Sequence, residues 1–92
     1  MELTLYKLYL GHDNQTKKQQ PKNQIINIIS KYFEGATISN VLGLWEGKTE
    51  KSTLIEIITD QEKNINLLKQ DLKTTFKQDS ILKITSNNKI EF

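Results

Sequence analysis

The spacing of apolar and polar positions changes several times along the chain, and each change marks an element. In residues 3–10, Leu3, Leu5 and Tyr9 fall on one alternating face and Tyr6, Leu8 and Leu10 on the other. That is the pattern of a strand covered on both sides, and so central in its sheet. Residues 11–20 contain no apolar side chain and read as a solvated loop, longer than the usual connection of about 4 to 6 residues. Pro21 then suits the first turn of a helix. Ile25, Ile28, Ile29, Tyr32 and Phe33 follow at helical spacing as one apolar stripe, with Gly35 expected as the C-terminal cap.

Residues 36–45 alternate imperfectly and run into Gly43-Leu44-Trp45-Glu46-Gly47. A polar hairpin loop over 46–51 is expected next, then a second strand over 53–59. In that strand Thr53, Ile55 and Ile57 share one face and Leu54, Glu56 and Ile58 the other. We expect this hairpin to be the centre of the fold. Asp60 is a good N-cap, and Ile65, Leu68, Leu72 and Phe76 then step by three and four, which makes a second amphipathic helix. Residues 80–85 read as a strand. Asn87-Asn88 suits a tight turn, and residues 89–92 suit a short extra strand.

The order β-α-β-β-α-β over one domain, residues 1–92, predicts an α+β fold of the ferredoxin-like, split β-α-β kind. In it both helices cover one sheet face. Ile55 and Ile57 would then meet the helices, leaving Leu54, Glu56 and Ile58 facing outward. A different small α+β meander is the alternative.

Composition narrows the functions. With 36% hydrophobic and 26% charged residues the chain is apolar enough to fold. At this length it buries only about 60 to 65% of its unfolded surface, so a homo-oligomer is a natural supplement to a thin core. The absence of cysteine and a single histidine exclude thiol chemistry and His/Cys metal clusters; no metal or cofactor is called for. A net charge of +2, made with lysine and no arginine, argues against sequence-specific nucleic-acid reading. An acidic Glu2 where a signal peptide would be basic, and no apolar run near the ~20 residues that span a bilayer, predict a cytoplasmic protein without membrane contact.

Three sets of residues stand out as candidates for ligand or partner binding. Trp45, the sole tryptophan, offers a large apolar face and one donor, or it packs over its own hairpin. Glu56 sits among apolar neighbours, where a carboxylate needs water or a partner, and Leu54 and Ile58 share its face. Gly11, His12, Asp13, Lys17 and Lys18 combine a proton-switching group, a carboxylate and two cations on one long loop, suited to a phosphate or an acidic patch or simply solvated. An enzyme built on His12, Asp13 and Glu56 is a lesser alternative, and it requires those groups to converge.

Tyr9-Leu10-Gly11, Gly43-Leu44-Trp45, Glu56, and Phe76-Lys77-Gln78 before Ile81-Leu82 together resemble a group of small uncharacterised phage and bacterial α+β proteins. The resemblance adds Tyr9 to the candidates and suggests that Gln78 caps the second helix or bonds the end of the first strand. What it implies is an α+β domain without established activity, often carried on phage or mobile elements; together with the small size and the lack of a catalytic constellation, this leads us to expect a non-enzymatic binding protein acting in the host cytoplasm. Such a protein would sequester a small ligand such as a signalling nucleotide, or block a host defence protein as a counter-defence inhibitor. A structural or assembly subunit using an open sheet face is the alternative.

Overall fold

The computed structural model describes residues 3–87 and 90–92, apart from the side chain of Trp45. Six elements follow in the order β1 (Thr4–Gly11), α1 (Lys22–Ser30), β2 (Thr37–Trp45), β3 (Lys48–Thr59), α2 (Glu62–Thr75) and β4 (Leu82–Ser86). The strands form one four-stranded antiparallel sheet in the order β2-β3-β1-β4. The domain is therefore α+β, with two interlocked β-α-β units: β3 lies between β1 and β2, and β1 lies between β3 and β4.

The core is built by one face of the two central strands. Tyr6, Leu8 and Leu10 pair in register with Ile57, Ile55 and Thr53, and all six are buried. Ile25, Ile28 and Ile29 of α1 and Ile65, Leu68 and Leu72 of α2 close over them, joined by Phe76 and Ile81. The apolar stripes of both helices and the inward face of β3 are those the periodicity predicts.

Several boundaries differ from the sequence expectations, each for a local reason. Helix α1 ends at Ser30, a turn before Gly35; the N–H groups of Tyr32 and Phe33 both bond to the Ile29 carbonyl. This tight turn keeps Tyr32 and Phe33 against the core without any left-handed glycine, since Gly47 is the one glycine with positive φ among the described residues. The hairpin loop has only two residues, Glu46 (φ 49°) and Gly47 (φ 76°). That is the type I′ geometry whose twist matches its flanking strands, and it lets β3 begin at Lys48.

The start of α2 also differs. Asp60 makes no cap; Thr59 Oγ1 accepts the Gln61 N–H at 3.1 Å instead. The end of α2 is a Schellman closure, with Gln78 N–H on the Lys73 carbonyl at 3.0 Å, Lys77 N–H on that of Thr74 at 3.4 Å, and Lys77 at φ 52°.

The centre of the sheet is β1-β3, not the β2-β3 hairpin, because β2 is an edge strand. The expected turn at Asn87-Asn88 and the extra strand over 89–92 fall partly outside the described residues, and residues 90–92 are not in a strand. Pairing of β1 with β3 stops at Gly11–Ser52, whereas β2 and β3 continue to Trp45–Lys48. The hairpin thus projects beyond the helices as a two-stranded arm, and Leu42 and Leu44 are exposed on it.

Candidate functional site

With both helices on one face, the other face of the sheet is left uncovered by any helix, and the register fixes its grid. Across β4, β1, β3 and β2, one row reads Ile84, Lys7, Glu56, Thr37 and the next Leu82, Tyr9, Leu54, Ser39. Leu5 and Ile58 pair in the row before them. Ile58, Ile84 and Leu82 are 42%, 40% and 58% exposed, so the apolar rim is wet, while Leu54 at the centre is buried by its neighbours. In the middle stand one cation and one anion, Lys7 and Glu56, directly opposite each other. Neither has a hydrogen-bond or ion-pair partner among the described residues.

Beside this face lies an open depression of about 960 Å³. Tyr32, Phe33, Gly35, Thr37, Glu56 and Ile58 line it, and the C-terminal Phe92, 99% exposed, stands at its edge. Tyr32 is held by its hydroxyl, which donates to Asp71 at 2.9 Å. That bond pushes the Tyr32 hydroxyl up. Burial works to raise the Asp71 carboxyl, but bonds from Tyr32 and Thr75, with Lys31 at 3.4 Å, outweigh it and hold Asp71 below its usual range. This tie between the end of α1 and α2 has no signal in the sequence, because its members are 39 residues apart.

The loop residues form a second, separate group. Asp13 organises its own loop by accepting the N–H groups of Thr16 at 2.8 Å and Gln15 at 2.9 Å, bonds that lower its carboxyl. Lys17, at φ 61°, and Lys18 are exposed on it. His12 is turned inward, and both its ring nitrogens are buried without a hydrogen-bond partner among the described residues. Gln78 Nε2 reaches the carbonyls of Phe76 at 3.3 Å and His12 at 3.5 Å, so it joins the end of α2 to the end of β1. An added Cβ at Gly11 would lie 2.8 Å from Gln78 Oε1, so the end of the Gln78 side chain packs directly on the Gly11 backbone. Buried Gln20, which the sequence did not single out, donates to the Gly11 carbonyl at 3.2 Å.

Tyr9, Leu54, Glu56 and Ile58 are thus brought together on the open face, and Gly11, His12, Lys17 and Lys18 are not among them. The side chain of Trp45 lies outside the described structure. Glu56 faces Lys7, five residues along β1 from His12, a separation of roughly 16 Å at strand rise. His12, Asp13 and Glu56 therefore do not converge, which corrects the expectation of a catalytic set built on them. Among the described residues no group of three or more His, Asp or Glu side chains could hold a metal ion, and no helix is long and apolar enough to cross a membrane.

No protein-family model matches the chain, and no curated protein matches it. Among solved structures it is similar to a DUF3240 family protein from Shewanella baltica OS155, with a TM-score of 0.67 over 100% of this chain and 96% of that one, at 13% identity. At that identity the likeness speaks for the fold alone.

Proposed function

We propose that the chain is a ferredoxin-like, non-enzymatic binding domain whose working surface is the open face of its sheet. One observation carries the reading: Leu82, Ile58 and Ile84 ring Lys7 and Glu56, which have no hydrogen-bond or ion-pair partner among the described residues, on a face that no helix covers. Exposed apolar groups gathered on one face mark interaction sites on small soluble domains. Polar groups inside such a ring set orientation rather than affinity. The helices already use the opposite face to build the core, so mutation of the open face leaves folding intact.

The test immobilises the wild-type protein and the variant I58R/L82R and compares what each retains from an extract of proteins and nucleotides. A species held by the wild type and lost by the variant supports the reading. Equal retention by both, or retention of nothing by a wild type that is also monomeric, refutes it.

A further inference from the structure

The grid on the open face is complementary to itself. We propose that its occupant is a second copy of this chain, docked face to face about a two-fold axis that runs along the strands midway between β1 and β3. This inference rests on the open face being the working surface and names its partner.

The register dictates the contacts. Each row on β1 and β3 pairs one residue with its opposite: Leu5 with Ile58, Lys7 with Glu56, Tyr9 with Leu54. Rotation about an axis between those strands lays β1 of one copy over β3 of the other. Lys7 then meets Glu56 of the second copy, and Glu56 meets its Lys7, so one contact is made twice, as an isologous interface requires. In the same move Leu5 covers Ile58 and Tyr9 covers Leu54. The outer residues Ile84 and Leu82 pass over Thr37 and Ser39 of β2, their register counterparts across the sheet. No like charges are opposed anywhere in these two rows.

The single cation and single anion favour this occupant over an unrelated partner. Neither group has an ion-pair partner among the described residues, and each finds its opposite in the other copy. Four strands at ~4.8 Å spacing and three rows at twice the strand rise, about 6.7 Å each, give a contact on the order of 400 Å² per copy. A contact of that size belongs with small, transient interfaces, so the dimer is expected to dissociate on dilution.

Charge reversal in separate chains tests the arrangement. K7E carries two acids at the centre and E56K two bases, so each alone opposes like charges across the axis. A mixture of the two restores both opposite pairs, though only between different chains. Sedimentation equilibrium from about 1 to 500 µM, with circular dichroism to confirm folding, is expected to show the wild type as a monomer–dimer equilibrium. Each single variant shifts at least tenfold toward monomer, and the equimolar mixture associates as tightly as wild type.

A wild type that stays monomeric throughout overturns the proposal and assigns the face to another occupant, such as the chain's own C-terminal segment with Phe92. So do a trimer or higher species, and a mixture that fails to associate when both variants are folded. If the wild type is monomeric while I58R/L82R still loses a retained species, self-docking fails and the binding surface stands. Should the variants not fold, I58R alone, at an exposed rim position, supplies the disruption.

Discussion

Replacing Thr53 by valine should stabilise this protein, which is unusual for a change in the core. Thr53 is 0% exposed on the inward face of β3, opposite Leu10 of β1 and Asn40 of β2, and its Oγ1 has no hydrogen-bond partner among the described residues. A buried hydroxyl left unbonded costs about 1–3 kcal/mol relative to its hydrated state. Valine keeps the branched shape and the strand preference while removing the hydroxyl. The expected gain is about 1–2 kcal/mol, or ~4–8 °C in Tm for each kcal/mol in a domain of this size. Urea unfolding followed by circular dichroism gives the value, through a higher midpoint at unchanged slope. Thr53→Ser is the control: it keeps the hydroxyl and loses the methyl, and should cost about 1 kcal/mol. If T53V proved neutral or destabilising while T53S behaved as expected, the hydroxyl would have a partner, such as a buried water, and the reasoning would fail.

Other outcomes follow from the same geometry. Lys77→Gly should raise stability by about 1 kcal/mol, because Lys77 holds the left-handed position of the Schellman closure at φ 52°, where a side chain is strained; chemical denaturation reads it. Gly47→Ala should lower stability by about 1 kcal/mol in the same assay, since Gly47 sits at φ 76° in the type I′ turn. Asp71 has its carboxyl held below the usual range in the folded state, so its contribution is full above the unfolded value of about 3.9. That contribution is lost as pH falls through the lower folded value. Asp71→Asn should therefore flatten the stability profile below about pH 4 relative to wild type; a parallel profile would show that Asp71 does not contribute.

The parts of the fold legible in the sequence are those encoded by periodicity. Alternation in residues 3–10 and 53–59 predicts two central strands and assigns Ile55 and Ile57 to the core. Steps of three and four along 25–29 and 65–76 predict the helix faces that cover them. These signals survive because each apolar residue must be hidden wherever its element lies. Turn chemistry is less legible. Glu46 and Lys77 take left-handed conformations that their residue types do not announce, and the α1 terminus is set by backbone bonds to Ile29 rather than by Gly35.

The candidate site divides along the same line. By itself the sequence determines that Leu54, Glu56 and Ile58 share a face, because the period of a strand is two. Only the tertiary structure decides that Lys7 stands opposite Glu56, that Leu82 and Ile84 complete the ring, that His12 turns inward, and that His12 and Glu56 are far apart. These depend on which strands are neighbours and in what register, a choice made by the helices packing on one side of the sheet. No local pattern in the chain records it.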